Sequence, residues 1–253
     1  MCKLKPKYIL YFYRQIDNMG NQTMRLNSEA VETARTEPEK EEVPDITPSP
    51  SPSQSPELST SERLRLLYPG VDQAETPLPT AWSSQTKHYL TGLTQSNRRA
   101  HYKGQAHNDN SDIGCVRATH PVPPTSGIFY FEVRIVSQGE QGWISVGLCP
   151  HHSLLNALTG WQPGTFGYHG DDGKKFWGNG WGDPYGPTFT TGDVIGCALN
   201  LEEGACGYTK NGQNLGLAFT GEYQFQFLIT DLLCSFLCRP PGRRPLSNCG
   251  SSI

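Results

Sequence analysis

The alternation of apolar runs and turn residues is clearest between Thr188 and Phe219. Residues 193–201 form an apolar run long enough for a strand buried on both faces. Residues 205–210 and 215–219 predict two further short strands. Asn211 and Gly212, which join them, tolerate the positive φ angles of a two-residue type I′ turn. The pattern therefore predicts three antiparallel strands, which any antiparallel sheet could contain.

Motifs around this run resemble a known family. Gly192–Gly196, followed by Tyr208–Phe219, resembles the closing half of a SPRY domain. Residues 127–133 and 143–148 are similar to two earlier strands of the same domain, in the same order. The resemblance implies an all-β fold, an antiparallel β-sandwich of the concanavalin-like jelly-roll type.

Longer motifs narrow the resemblance. Residues 116–121, 166–173 and 184–193 resemble SPRY domains of the Ran-binding scaffold proteins, a family that includes the scaffold subunit of the GID/CTLH ubiquitin ligase. The likeness extends over residues 67–220. It implies a non-catalytic adaptor that binds proteins or peptides. Subunits of that ligase are expected partners where the family's full-length regions are present.

The composition divides the chain into three parts. Residues 1–66 are expected to be a disordered tail, because residues 27–62 are acidic, rich in Ser-Pro repeats and poor in large apolar side chains. A solvated linker is favoured there over a phosphorylated segment or a proline-rich ligand. Residues 67–222 are predicted to be the SPRY domain, and residues 223–253 an unmatched tail.

The N-terminal aromatic run, residues 8–13, follows three lysines. It fits a secretory signal poorly, because it is short and lacks a small-residue cleavage site; an over-extended gene model is an equally good explanation. Four cysteines without paired spacing, Cys115, Cys149, Cys197 and Cys206, indicate buried thiols in an intracellular protein. We therefore expect a cytoplasmic location, with the nucleus as a second one.

The C-terminal tail departs from the family. The family continues into further strands after Thr220, whereas residues 225–238 form an unrelated apolar run too short to cross a bilayer. An aberrant tail is favoured over a substitute strand or a short helix. Without a substitute strand, an interior strand would become an exposed edge.

No catalytic motif is apparent, so we expect no enzyme activity and no cofactor. Asp171 and Asp172 are adjacent in a Gly-rich turn, where neighbouring side chains diverge and an Asx-type turn is the simpler interpretation. The cysteines and histidines are not spaced as zinc ligands are. The net charge of −3 gives no indication of nucleic-acid binding. A lectin-like sandwich, with calcium at Asp171, Asp172 or Asp183, is the alternative; a hydrolase is a distant one.

Function is expected on loops. SPRY resemblance implies a shallow peptide-binding surface formed by several loops at one end, which here correspond to residues 103–110, 139–143 and 155–161. Trp177 and Trp181 could add exposed anchors. The predicted peptide-binding residues are Tyr102, Lys103, Gln141, Trp143, Leu158 and Trp161.

Overall fold

The computed structural model describes residues 9–13, 60–104, 113–139, 142–178, 180–221 and 233–238. These residues contain one α-helix, α1 (Thr60–Leu67), and a 3-10 turn at Pro124–Ser126. None of the helices among them has the length and hydropathy of a membrane span. The strands are β1 (Ile9–Tyr13), β2 (Trp82–Lys87), β3 (Thr91–Thr94), β4 (Arg99–Tyr102), β5 (Gly114–Ala118), β6 (Ile128–Ser137), β7 (Ile144–Cys149), β8 (Phe166–His169), β9 (Lys174–Trp177), β10 (Gly182–Pro184), β11 (Val194–Asn200), β12 (Ala205–Lys210), β13 (Gln213–Thr220) and β14 (Leu233–Cys238).

The strands form two sheets in which every pairing is antiparallel. Sheet A has the order β13-β12-β11-β6-β1-β4-β3, and sheet B the order β10-β9-β8-β7-β14-β5-β2. One hydrophobic core draws residues from both sheets: the Phe166 and Phe219 ring centroids lie 5.2 Å apart, and those of Tyr168 and Tyr208 5.3 Å apart. The predicted antiparallel β-sandwich is confirmed.

The predicted hairpin is present as β11, β12 and β13. Asn211 and Gly212 have φ angles of 53° and 79°, as a type I′ turn requires. The Asn211 side chain accepts a hydrogen bond from the Val194 amide (2.8 Å) and donates one to Asp193 Oδ1 (2.8 Å). The turn therefore also fixes the entry to β11. The four cysteines named above are buried free thiols.

Asp193 is the acceptor at the centre of this connection. Its Oδ2 accepts a hydrogen bond from the Thr190 amide (2.7 Å) and lies 3.2 Å from Lys210 Nζ. Burial raises the pKa of the Asp193 carboxyl, but the hydrogen bonds it accepts outweigh burial, so the pKa lies below its ordinary value of 3.8. The ionised carboxylate therefore stabilises the folded chain.

We expect Asp193→Asn to lower the free energy of unfolding by about 1 kcal/mol at pH 7. A folded-state pKa below 3.8 contributes stability that is fully present above that value and is lost as the pH falls through the folded-state pKa. The difference between wild type and variant should therefore shrink as urea unfolding is repeated from about pH 6 down to about pH 2. Glu203→Gln, in an exposed turn, is the control. A difference that stays constant with pH would contradict this assignment.

Two short strands lie outside the predicted domain boundaries. β1 falls in the range expected to be a disordered tail, and β14 in the unmatched tail. Both occupy interior positions: β1 pairs with β4 and β6, and β14 pairs with β5 and β7. Of the alternatives for the C-terminal run, the substitute strand is the one the structure contains. Because β14 pairs with both β5 and β7, the condition for an exposed interior edge is not met there.

Two side chains from the part of the domain that contains sheet B form hydrogen bonds with β13, an edge strand of sheet A. Lys175 Nζ donates to the Ala218 carbonyl (2.6 Å), and the Tyr185 hydroxyl donates to the Gly216 carbonyl (2.7 Å). The same Tyr185 oxygen accepts a hydrogen bond from the Tyr208 amide (3.0 Å). These contacts connect the two sheets along one side of the sandwich.

Candidate functional site

The register of sheet B brings several loops to one end of the sandwich, which we call the loop end. Cys238, the last residue of β14, pairs with Gly114 and Ile144, the first residues of β5 and β7. Ser145 pairs with His169, the last residue of β8. The connections that enter β5 and β7 and the one that leaves β8 therefore lie side by side.

The connection between β2 and β3 joins this end through Cys115. The Cys115 carbonyl accepts hydrogen bonds from the His88 amide (2.7 Å) and the Thr91 hydroxyl (3.2 Å), and Thr91 pairs with Tyr102. The Cys115 amide donates to the Leu155 carbonyl (3.2 Å). The connection between β2 and β3 and the start of the 155–161 loop are thus held against one strand, β5.

Tyr102 and Lys103 have different environments, although both are predicted site residues. Tyr102 is 3% exposed and belongs to the core, with its ring against Gly104 and Gly114. Tyr102 therefore supports the residues that follow β4 from the core side and offers a partner little contact area. Lys103 is exposed, and its amide donates to the Leu90 carbonyl (2.7 Å), which fixes the direction of the chain there.

Leu158 and Trp161 belong to a second apolar cluster on the other side of sheet B. Leu158 is 5% exposed and packs with Ile113 and Cys115. Trp161 is half-buried against this cluster, and its ring centroid lies 6.3 Å from that of His169. Leu158 thus anchors the loop, whereas Trp161 keeps part of its ring available to a partner.

A buried polar network fixes the same loop to β7 and β8. Ser145 Oγ and Thr159 Oγ1 lie 2.9 Å apart, and His169 Nε2 is 2.8 Å from the Thr159 carbonyl. Burial lowers the pKa of His169 to about 4, so its imidazole is neutral at physiological pH and donates to this carbonyl. Sequence analysis showed no sign of this network, because its members come from β7, β8 and the loop between them and form no local motif.

The remaining predicted residues lie in the connection from β6 to β7. Trp143 is half-buried next to the first residue of β7, and Gln141 lies outside the described residues. Tyr89, which was not predicted, is 69% exposed between the His88 and Leu90 backbone contacts, with its ring 4.3 Å from the His88 ring. Tyr89 could have been predicted as a site residue, because it is an aromatic residue in a short connection between two strands.

The other aromatic candidates lie at the opposite end. Phe166, at the start of β8, pairs with Trp177, whereas the end of β8 is at the loop end. Trp177 and Trp181 are 43% and 68% exposed. They therefore lie beside the end of β8 that is remote from the loop end.

The described residues contain no cluster of metal ligands. None of their His, Cys, Asp and Glu side chains form a group of three that could hold a metal. The Asp172 carboxylate accepts a hydrogen bond from the Lys174 amide (3.1 Å), so it caps a turn as the sequence predicted. No observation on these residues favours the lectin-like alternative.

Comparison with known proteins identifies the fold family. Residues 128–232 match the family model of the SPRY domain, and the match continues past Thr220. The chain contains a SPRY domain. A solved structure, the crystal structure of human SPRY domain, matches with a TM-score of 0.46 and 30% identity, over 55% of this chain and 83% of that chain.

Relatives of this SPRY domain occur among Ran-binding proteins. The chain is 54% identical to Ran-binding protein 10 of Danio rerio and 53% identical to Ran-binding protein 9 of Homo sapiens, in each case over 164 residues and 65% of this chain. It spans 27% and 22% of the length of these two proteins, about a quarter. The SPRY domain is thus related to those of Ran-binding proteins 9 and 10.

Proposed function

We propose that the chain is a non-catalytic module that binds proteins or peptides through the loop end of its SPRY domain. The observation that carries this proposal is the convergence of separate loops on β5, where the Cys115 backbone holds the His88–Leu90 and Leu155–Trp161 segments together. A rigid sandwich that fixes several loops is suited to recognition of an extended ligand. The relatives are named Ran-binding proteins, and these names support the same class of ligand.

The proposed contact residues are those that combine a fixed backbone with an accessible side chain. Lys103 and Tyr89 are exposed, and Trp143 and Trp161 are half-buried. Large rigid rings provide contact area at a small entropic cost, and a lysine beside them favours a ligand with an acidic group. A ligand that engages all three loops would have to lie across the end of β5 and β7.

A finer proposal concerns the assembly that this module serves. By its resemblance to Ran-binding scaffold proteins, we propose that the chain recruits partners to a ubiquitin ligase of the GID/CTLH type. Co-purification of the full chain with tagged subunits of that ligase tests this role separately from peptide binding. The cytoplasmic location expected from the cysteines remains a prediction.

The binding proposal is tested with a peptide selected on the full chain from a phage-displayed library of random twelve-residue peptides. We expect Trp143→Ala and Trp161→Ala each to weaken its binding by about tenfold, since loss of one interface aromatic costs about 1 to 2 kcal/mol. Lys103→Glu should weaken binding of an acidic peptide further. Isothermal titration calorimetry measures the affinities.

The matched control is Trp181→Ala, an exposed tryptophan at the opposite end. It should leave the affinity unchanged. Equal losses for the Trp181 and Trp143 variants, or no loss for either loop-end tryptophan variant, would refute the loop end as the binding surface. Near-UV circular dichroism of each variant separates lost contacts from lost folding.

A further inference from the structure

The position of β1 in sheet A is unusual for a strand so far away in sequence. β1 lies between β4 and β6 and pairs with both, yet residues 14–59 separate it from the next described element. Removal of β1 would leave two facing rows of backbone donors and acceptors, on β4 and on β6. Such rows are a template for an added strand.

The inner side of this position requires apolar residues. Leu10 pairs with Ala100 and Ile135, and both of these partners are fully buried in the core. The next inward position of β1, Phe12, pairs with Val133, which is also fully buried. A strand that occupies this position must therefore carry apolar residues two positions apart.

The outer side of the same position carries two arginines. Tyr11 pairs with Arg99 on β4 and with Arg134 on β6, so the two arginines flank its register position, with backbones about 10 Å apart. Neither arginine forms an ion pair with a carboxylate of the described residues. Opposite charges on neighbouring strands stabilise a sheet, and at this position no carboxylate of the described residues pairs with either positive charge.

Further basic residues extend this side of β4. His101 lies on the same face of β4 as Arg99, and Lys103 is the first residue after the strand. Burial lowers the pKa of His101, and the positive charges of Lys103 and Arg99 lower it further. This end of β4 therefore carries a group of basic side chains.

We propose that the place of β1 between β4 and β6 is a strand-acceptor site for an extended segment of a partner protein, with two apolar residues facing the core and an acidic residue between them. The partner strand would replace β1, pair antiparallel with β4 and β6, and place its carboxylate between Arg99 and Arg134. The tether makes β1 a competitor at high effective concentration, so it lowers the apparent affinity for a partner strand.

The test uses the full 253-residue chain and two fluorescein-labelled peptides that carry residues 7–15 of its own sequence, one with Tyr11→Glu and one with Tyr11→Lys. Fluorescence anisotropy gives the affinities. We expect the acidic peptide to bind about threefold to tenfold more tightly than the basic peptide, which is the effect expected of two cross-strand ion pairs. Arg99→Glu combined with Arg134→Glu should reverse the preference.

A second variant tests replacement itself. Tyr11→Pro in the chain removes a backbone donor from β1, so β1 should compete less and the acidic peptide should bind at least about tenfold more tightly. Unchanged affinity in this variant, no binding to it, or a preference for the acidic peptide that survives the double charge reversal would overturn the proposal.

If the Tyr11→Pro chain does not fold, hydrogen exchange on the wild-type chain gives the answer. At saturating acidic peptide, the amides of β1 should lose protection, whereas those of β4 and β6 should keep it. Retained protection of β1 would overturn the proposal, because the peptide would then bind elsewhere.

Discussion

Phe236→Pro is expected to lower the free energy of unfolding by on the order of 3 kcal/mol, because it removes a backbone donor from the middle of an interior strand. Phe236 pairs with Val116 on one side and Val146 on the other, and both valines are fully buried. Disruption of β14 would separate β5 and β2 from the rest of sheet B. Urea unfolding followed by tryptophan fluorescence measures the loss.

Phe236→Val is the matched control, since valine keeps the backbone N–H and has a high strand propensity. It should cost much less than the proline variant. Equal stability of the two variants would show that β14 is not held between β5 and β7 in solution. A less cooperative transition for the proline variant alone would support the two-sided pairing directly.

Gly147→Ala should be at least as damaging, because the interior of sheet B has no room for a side chain there. A Cβ at Gly147 would lie 1.9 Å from the Phe166 carbonyl oxygen and 2.9 Å from the Gly167 Cα, and both of these are backbone atoms of the paired strand. Relief requires β7 and β8 to separate. We expect a loss of roughly 3 kcal/mol or more, measured as a shift of the urea midpoint.

Gly192→Ala separates this steric effect from backbone strain. Gly192 has a φ angle of 96°, and a Cβ there meets nothing within 4 Å. Its replacement should cost about 1 kcal/mol, through the unfavourable φ alone. Similar losses for the Gly147 and Gly192 variants would contradict the close approach of β8 to β7.

Local signals made the hairpin predictable from the sequence. The strands on either side of Asn211 and Gly212 are close in the chain, and the turn residues determine their register. β1 and β14 lack such a signal, because residues 9–13 pair with residues about 90 and 120 positions away. An isolated apolar run shows that a segment can be buried, but it does not indicate which strands it joins.

The positions of the candidate loops along the chain were predictable, but the orientation of their side chains was not. Resemblance located the connections before β5 and β7, yet the last residue of β4, Tyr102, turns inward and Leu158 packs under its loop. Side chains alternate between the two faces of a strand. Which residue faces outward at the end of a strand therefore depends on how that strand is paired in the sheet. The contact roles of Lys103, Trp143 and Trp161 remain predictions.

The bridges from Lys175 and Tyr185 to β13 have a consequence for the behaviour of the protein at high concentration. The Gly216 and Ala218 carbonyls are two residues apart in an extended strand, so they point to the same side of it. An eight-residue terminal strand would otherwise offer these acceptors to a strand of another molecule. Because an ammonium group and a phenol already occupy them, we expect this border of sheet A to resist intermolecular β-pairing and the aggregation that begins with it.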